Sequence, residues 1–280
     1  MALQLGLVGY PIQHSLSPWI HHQFMKQEGI DGTYHLFETT EDQLENTFEQ
    51  IRDRGVDGFN ITVPYKQKIM KFLDELDEDA QRIGAVNTVV HQNGKWKGYN
   101  TDGQGYVHSV KRSYPNLFKE ETKVLVLGAG GAARGIYRAL VQESFEKVDV
   151  ANRTTEKAKE LLDVKKDHIQ TDILTYQAAE QQLNAYDFIV QTTSVGMKPN
   201  TNDQVISLDH VKPGAVVSDI VYQPLMTELL LEAKARGANI HQGHAMLLYQ
   251  AQLAFKIWTG KDVDAEKILE QLEMKLRRSE

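Results

Sequence analysis

The sequence contains no cysteine among its 280 residues. A disulfide framework, a thiolate metal site and a cysteine nucleophile are therefore excluded, and a reducing compartment is permitted. Basic residues are not in excess either, since 38 Asp and Glu against 31 Lys and Arg leave a formal net charge of −7. A nucleic-acid or anionic-membrane surface needs a broad basic field, so we expect neither partner.

Long apolar runs are also missing. None approaches the roughly 20 residues that a membrane-spanning helix needs, and the first residues carry no basic stretch of the kind that begins a secretory signal. We therefore expect a cytoplasmic protein. Hydrophobic residues make up 41% and charged residues 25% of the chain, which is typical of a globular protein, and the length suits two domains of roughly 150 residues each. The sequence allows a monomer or a homodimer.

The N-terminal part alternates short apolar strands with amphipathic helices. Residues 5–8 are predicted to form a strand, and Ser17 is predicted to cap a helix that has Pro18 at its first position and ends at Gly29. Thr40 and Gln43 are spaced as a capping box ahead of a second helix, which closes near residue 55. Both helices therefore have recognisable ends.

A strand predicted over residues 56–63 carries two polar side chains on one face. Phe59, Ile61 and Val63 alternate with Asn60 and Thr62, so the two polar groups lie opposite the apolar ones. Further along, residues 88–90 and 95–97 flank Asn93-Gly94, which predicts a hairpin with a type I′ turn.

From residue 123 the pattern becomes βαβα with crossover spacing, which predicts a parallel sheet covered by helices on both faces. The predicted strands are 124–127, 148–151, 188–191 and 216–220, and two helices follow at about 243–258 and 264–277. The fold class is therefore α/β with two domains. We predict a substrate-binding and catalytic domain of residues 1–103 plus 241–280, and a Rossmann-type nucleotide-binding domain of residues 104–240.

The strongest motif is a glycine loop between a strand and a helix. Residues 128–133 read GAGGAA and follow the apolar strand directly. The first two glycines of this fingerprint allow a tight turn and a close approach to a pyrophosphate, while Ala133 at the third position lets helix and strand pack closely. Free amide groups at the helix start then receive the phosphates.

The end of the next strand indicates which dinucleotide binds. An NAD site usually has an acidic residue there to hold the ribose hydroxyls, whereas this chain has Asn152-Arg153-Thr154. Arg153 can pair with a 2′-phosphate through its planar guanidinium, and Thr154 can add a hydroxyl donor. Asp149 lies earlier in the strand, and we expect its side chain to point elsewhere. NADP is the predicted cofactor.

An ordered series of segments along nearly the whole chain resembles the shikimate dehydrogenase family. The matching segments are GYPIQHSLSP (9–18), GFNITVPYK (58–66), GAVNT (84–88), YNTDG (99–103), the glycine loop, NRT (152–154), TTSVGM (192–197), DIVYQP (219–224), and Gly243 with MLLYQA (246–251). The resemblance implies a reversible, NADPH-dependent reduction of 3-dehydroshikimate to shikimate, a step toward chorismate and the aromatic amino acids, in an active site in the cleft between the two domains.

The resemblance also implies roles for individual residues. Lys66 and Asp102 match the catalytic pair, in which an ammonium donates to the developing alkoxide and a carboxylate orients it. The matched substrate-binding residues are Ser15, Ser17, Asn60, Thr62, Asn87, Tyr222 and Gln250, with the two serines on the substrate carboxylate. The matched cofactor residues are Gly128, Ala129, Gly130, Gly131, Ala132, Asn152, Arg153, Thr154, Thr192, Ile220 and Gly243.

Other polar groups are assigned no site role. Glu78 lies in an acidic run, residues 74–79, that is most simply a solvated helix face. His21-His22 and the pair His241 and His244 lack a carboxylate at the spacing of known zinc motifs, so no metal is expected.

Two alternatives stay open from the sequence. One is a quinate/shikimate dehydrogenase that prefers NAD, although such relatives tend to carry an acidic residue after the second strand. The other is a non-catalytic sensor that binds a shikimate-like ligand and a nucleotide. Loss of Lys66 or Asp102 would be expected of a sensor, and both are present.

Overall fold

The computed structural model describes residues 2–278. By their contacts these divide into two compact units. The first comprises the residues up to Thr101 with Leu248–Ile268, and the second comprises Asp102–Leu247 with the residues from Leu269 onward. The division predicted at residues 103 and 241 stays a prediction, because it assigns functions as well as boundaries.

The first unit is built on a six-stranded mixed sheet with the order β2-β1-β3-β5-β6-β4. Its strands are β1 (Leu3–Gly9), β2 (Gly32–Glu38), β3 (Gly58–Ile61), β4 (Glu75–Leu76), β5 (Thr88–Gln92) and β6 (Lys95–Tyr99). Its helices are α1 (Ser17–Glu28), α2 (Leu44–Asp53), α3 (Glu78–Ile83) and most of α9 (His244–Thr259). β1 pairs in parallel with β2 and β3, whereas β3, β5 and β6 are antiparallel.

The second unit is built on a fully parallel six-stranded sheet with the order β12-β11-β10-β7-β8-β9. The strands are β7 (Lys123–Leu127), β8 (Lys147–Ala151), β9 (Ile173–Leu174), β10 (Phe188–Gln191), β11 (Val216–Asp219) and β12 (Asn239–His241). The helices are α4 (Asp102–Ser113), α5 (Gly131–Leu140), α6 (Thr155–Lys159), α7 (Tyr176–Glu180), α8 (Glu228–Ala235) and most of α10 (Glu266–Arg277). One apolar cluster lies on each face of this sheet, so the predicted doubly covered sheet is confirmed.

Several element ends are confirmed. Gly29 ends α1 in the left-handed conformation, with φ of +63°. Asn93 and Gly94 both have positive φ and join β5 to β6, as a type I′ turn requires.

Two predicted helix caps were wrong. Leu16, not Ser17, occupies the cap position of α1, and Ser17 is the first helical residue. Thr40 precedes a short 3₁₀ turn, residues 41–43, and its side chain accepts no capping hydrogen bond. The Ser17 amide donates to Ser15 Oγ and the Gln43 amide donates to the Thr40 carbonyl oxygen, so neither predicted hydroxyl accepts a helical amide.

Two other predicted elements need correction. β3 ends at Ile61 rather than residue 63, and Val63 is 67% exposed instead of packing beside Phe59. The acidic run 74–79 is not one helix face, because it contains β4 before α3 begins at Glu78. Glu78 is exposed there and pairs with Arg82. Within residues 2–278, no helix is both long and apolar enough to cross a membrane.

Candidate functional site

The glycine loop forms the turn between β7 and α5 in the second unit. Gly128 has φ of +109°, and a β-carbon there would come within 2.7 Å of Thr193 and 2.8 Å of the Thr192 hydroxyl. Only glycine satisfies both conditions. At Gly130 and Gly131, by contrast, an added β-carbon would meet no atom within 4 Å, so the backbone borders open space.

This open space lies where a phosphate group is best held. Gly130 occupies the cap position of α5 in an extended conformation and makes no side-chain cap. The first amide groups of the helix therefore have no intrahelical partner, and together with the helix dipole they suit an anion. The residues present fit a dinucleotide pyrophosphate.

The segment directly after β8 carries side chains that can bind a 2′-phosphate. Arg153 and Thr154 are exposed, and Asn152 is braced by donating from Nδ2 to the Thr154 carbonyl oxygen at 2.7 Å. The Asp149 carboxylate is buried, accepting from Tyr186 Oη and from the Asp172 amide, both at 2.7 Å. The Asp149 carboxylate is therefore engaged in the core of the unit, and none of the three residues directly after β8 carries a carboxylate that would repel a phosphate.

A cavity of about 380 Å³ lies at the carboxyl ends of β10 and β11. It brings together four of the predicted residues, Ala132, Thr192, Ile220 and Tyr222. In parallel sheets this edge is the usual place for a ligand, and the cavity volume suits a small ring system.

Gly243 contributes to this cavity indirectly. A β-carbon on Gly243 would lie 2.3 Å from the Ile220 carbonyl oxygen, so only glycine lets the chain pass behind Ile220 at this distance. The predicted cofactor role of Gly243 is therefore indirect, because the absence of a side chain leaves room for the Ile220 backbone at the cavity.

Sequence reasoning missed Asp219, which shapes the loop that carries Ile220 and Tyr222. Its carboxylate is fully buried and accepts from the Val221 amide at 2.9 Å, from Thr227 Oγ1 at 2.7 Å and from Gln191 Nε2 at 3.2 Å. Burial raises its pKa to about 6, although these three hydrogen bonds pull in the other direction. The DIVYQP segment contained the signal, because its acidic residue ends a buried strand.

Sequence reasoning also missed other residues of the cavity. These are Met197, Lys198, Val221 and Gln223, which line it together with Thr193 and Ser194, two residues that the sequence already placed beside Thr192 at the end of an apolar strand. They lie in or directly after the matched segments, and only the surroundings of each side chain could have distinguished them.

A second polar cluster lies in the first unit and joins three predicted substrate residues. Asn60 Nδ2 donates to the Asn87 carbonyl oxygen at 3.1 Å, and Asn87 Nδ2 donates to Gln250 Oε1 at 3.4 Å. Asn60 and Asn87 are 5% and 2% exposed. Thr101 braces Asn87 by donating its amide to Oδ1 at 2.8 Å. The cluster offers neutral donors and acceptors to a hydroxylated ring.

Lys66 and the two serines are further predicted residues of the first unit. The Lys66 carbonyl oxygen accepts from the Val86 amide at 2.8 Å, directly before Asn87 in the chain, and the Lys66 side chain is partly buried. The Ser17 amide donates to Ser15 Oγ at 3.2 Å, at the start of α1. Both serines therefore lie at a helix N-terminus, which suits a carboxylate.

Two predicted residues need a separate description. Thr62 follows β3 and is partly buried. Asp102 belongs to the second unit, where it is the first residue of α4 and partly buried. Its pairing with Lys66 stays a prediction.

Comparison with known proteins shows three family-model matches that together span most of the chain. Residues 7–89 match the shikimate dehydrogenase substrate binding domain, residues 110–221 match shikimate / quinate 5-dehydrogenase, and residues 243–273 match the shikimate 5′-dehydrogenase C-terminal domain.

Whole-chain similarity is equally extensive. The chain is 49% identical over 279 residues to a shikimate dehydrogenase (NADP(+)) of Oceanobacillus iheyensis, covering 99% of both chains. A solved shikimate dehydrogenase in complex with NADP+ matches with a TM-score of 0.90 and 35% identity, covering 98% of this chain and 96% of that one. The shikimate 5-dehydrogenase of Listeria monocytogenes, solved with shikimate and NAD, matches with a TM-score of 0.90 and 31% identity over 97% and 96%.

Proposed function

The chain belongs to the shikimate dehydrogenase family, and we propose that it catalyses the reversible, NADPH-dependent reduction of 3-dehydroshikimate to shikimate. This is an oxidoreductase reaction on a CH–OH group, in the pathway toward chorismate and the aromatic amino acids. The observation that carries the proposal is the cluster of the buried Asn60 and Asn87 with the partly buried Gln250, which fits a polyhydroxylated ring.

NADP is the proposed cofactor. When bound, it supplies or accepts the hydride at the carbon that alternates between ketone and alcohol. The amides of residues 128–132 would hold the pyrophosphate, and Asn152, Arg153 and Thr154 the 2′-phosphate. Thr192, Ile220 and Gly243 would shape the nicotinamide pocket. The open backbone at Gly130 and Gly131 supports this assignment, and so does the absence of an acidic residue from positions 152–154, directly after β8.

The substrate is held by neutral groups in this proposal. Ser15 and Ser17 donate hydrogen bonds to its carboxylate with help from the α1 dipole. Asn60, Thr62, Asn87, Tyr222 and Gln250 bind the ring hydroxyls or line the pocket. Leaving a buried hydroxyl unpaired costs about 1–3 kcal/mol, so a dense set of such groups discriminates strongly.

Lys66 and Asp102 handle the proton. In the direction of ketone reduction, the Lys66 ammonium donates a hydrogen bond or proton to the carbonyl oxygen as negative charge develops there. The Asp102 carboxylate orients that ammonium toward the reacting oxygen. In the direction of alcohol oxidation the pair receives the hydroxyl proton.

The direct test is to incubate the purified protein with shikimate and NADP⁺ and to follow the absorbance of the reduced nicotinamide. We expect turnover, and no turnover under conditions where a control shikimate dehydrogenase is active would rule the proposal out. The Listeria structure was solved with NAD, so quinate and NAD⁺ are tested in parallel. A larger kcat/KM for quinate with NAD⁺ would replace the proposal with the quinate-type alternative.

A binding experiment on the same purified protein distinguishes an enzyme from a ligand sensor. A sensor would bind shikimate and NADP⁺ in titration calorimetry without producing reduced nicotinamide. The cytoplasmic location stays a prediction, which fractionation of the source cells with an antibody against the chain would test.

A further inference from the structure

A chain of hydrogen bonds connects the Tyr34 hydroxyl to the side chain of Asn87 in the first unit. Tyr34 Oη donates to Asn60 Oδ1 at 2.7 Å. Asn60 Nδ2 donates to the Asn87 carbonyl oxygen and to Thr88 Oγ1, both at 3.1 Å, and Thr88 Oγ1 donates to Asn87 Oδ1 at 3.0 Å. The route is unbroken, and from Asn60 onward it runs through buried side chains.

The partners of these two asparagines fix the orientation of each amide. The Asn87 carbonyl oxygen can only accept, so Asn60 must turn its nitrogen toward it. The Thr101 amide can only donate, so Asn87 must turn its oxygen toward that group. Consequently Asn60 directs its oxygen toward Tyr34, while Asn87 directs its nitrogen toward Gln250.

Each amide keeps some capacity for a ligand in this arrangement. Asn60 Oδ1 accepts from Tyr34 Oη, and an amide oxygen carries a second lone pair. The bond from Asn87 Nδ2 to Gln250 Oε1 is long, at 3.4 Å, so a ligand oxygen can replace it at small cost. If Asn60 exchanged the positions of its amide oxygen and nitrogen, the oxygen would face the Asn87 carbonyl oxygen, another acceptor. If Asn87 did so, its nitrogen would face the Thr101 amide, another donor.

Tyr34 is itself held rigidly. Its ring stacks on His21 at 4.8 Å with an interplanar angle of 8°, and His21 contacts the Trp258 ring at 5.0 Å. Burial lowers the pKa of His21 to about 3, so its imidazole is neutral at working pH and serves as a flat support. Burial raises the pKa of the Tyr34 phenol, which therefore remains a hydrogen-bond donor.

We propose that Tyr34 is a positioning residue that holds the Asn60 amide of the substrate-ring subsite in the orientation set by the Asn87 carbonyl oxygen. Asn87 then offers an N–H donor, and Asn60 offers a carbonyl acceptor. An N–H group can donate to the oxygen of either a ketone or a hydroxyl, whereas a carbonyl oxygen needs a hydroxyl on the ligand as its donor. The subsite therefore selects a ring that carries a hydroxyl opposite Asn60. This inference rests on the proposed function, because it assigns the cluster to the substrate.

The sensitive variant is Tyr34→Phe, which removes the hydroxyl but keeps the ring that stacks on His21. Asn60 Oδ1 then loses its donor, and its amide is held only from the nitrogen side. We expect the KM for shikimate to rise about tenfold, with the KM for NADP⁺ changed by less than about twofold.

The matched control is Tyr137→Phe in the second unit. This change also removes a buried tyrosine hydroxyl, which hydrogen-bonds to Thr171 Oγ1 at 2.7 Å. It should lower the melting temperature without changing the KM for shikimate. If Tyr34→Phe behaves like this control, Tyr34 is only structural and the proposal is overturned.

A second readout does not depend on shikimate turnover. In protein labelled with ¹⁵N-asparagine, the Nδ2 protons of Asn60 and Asn87 should give resolved, slowly exchanging signals, and Tyr34→Phe should accelerate exchange at Asn60. Unchanged exchange in the variant would overturn the proposed positioning even if the enzyme is active. Accelerated exchange in a protein that does not turn over shikimate would instead refute the proposed function and leave the network confirmed.

Discussion

Gly103 on α4 and Gly135 on α5 are in direct contact, since a β-carbon on Gly103 would lie 2.1 Å from the Gly135 carbonyl oxygen. This contact joins two helices that begin at predicted site residues. α4 begins at Asp102, and α5 begins at Gly131 of the glycine loop. The crossing therefore fixes the position of the predicted catalytic carboxylate relative to the predicted phosphate site within the second unit.

The first prediction is that Gly103→Ala separates these two helices. The new methyl group opposes backbone rather than a flexible side chain, so we expect a loss of about 1–3 kcal/mol in the free energy of unfolding. The affinity for NADP⁺ should fall with it, because α5 moves. Urea denaturation and fluorescence titration with NADP⁺ measure the two effects. Ser113→Ala, at the other end of α4, is the control and should change neither by much; equal losses in both variants would contradict the packing argument.

The second prediction concerns the pH dependence of stability through Asp219. Burial raises its pKa from 3.8 to about 6, so the folded state holds this proton more tightly than the unfolded state. Between about pH 4 and 6 the folded state therefore binds more protons, and this group's contribution to stability falls as the pH rises. The change is on the order of 2–3 kcal/mol and is complete above the folded-state pKa.

The comparison that isolates this effect is Asp219→Asn. The amide keeps an acceptor for the loop but cannot ionise. Relative to the wild type, the variant should gain stability as the pH rises from about 4 to 7, as measured by urea denaturation across that range. A constant difference between the two proteins would show that Asp219 does not titrate in this window.

The regular parts of the fold were predictable because each carries a local signal. β10 was predicted over the residues it occupies, since an apolar run of strand length between polar segments has one simple interpretation. β2 was not predicted. Its residues, Gly32–Glu38, mix small, aromatic and charged side chains on an edge strand, where burial alternates weakly and the pattern fades.

The site residues also divide into those that local sequence predicts and those that depend on distant contacts. The glycine loop and Arg153 could be found because their chemistry depends on neighbouring residues in the chain. Tyr34 could not, because its function depends on a hydrogen bond to Asn60, 26 residues away. Such contacts arise from strand order, which short-range patterns do not encode. Family resemblance supplied the long-range grouping of Asn60, Asn87 and Gln250, but not the geometry of their amides.

The third prediction is that Arg153 determines the preference for NADP. A charge-assisted hydrogen bond to a phosphate contributes about 1.5–3 kcal/mol, so Arg153→Ala should raise the KM for NADP⁺ by roughly 10- to 100-fold. The KM for NAD⁺ should hardly change, because NAD⁺ has no 2′-phosphate. Arg52→Ala on α2 is the control, since Arg52 is also exposed but lies in the first unit. A parallel rise for both cofactors would show that Arg153 affects folding of the site rather than recognition.

The fourth prediction separates Lys66 from its neighbour Lys68. Lys66→Ala removes the proposed proton donor, and general acid–base groups contribute about 10²–10⁴ in rate, so kcat should fall by that factor. The affinity for NADP⁺, measured by titration calorimetry, should stay within about twofold of the wild-type value. Lys68 is a suitable control, because its ammonium pairs with Glu41 at 2.5 Å on the surface. Lys68→Ala should leave kcat and cofactor affinity unchanged.

The pattern of losses across these two variants decides the role of Lys66. A fall in kcat with intact NADP⁺ binding means that Lys66 acts on the reacting atoms. A fall in kcat accompanied by weaker NADP⁺ binding and a lower melting temperature means instead that Lys66 stabilises its segment, whose carbonyl oxygen already accepts from the Val86 amide. Lys66→Arg distinguishes further, because it keeps a cation that is effectively always protonated and so can orient the substrate but not exchange a proton. Its kcat should therefore remain low even where the KM for shikimate recovers.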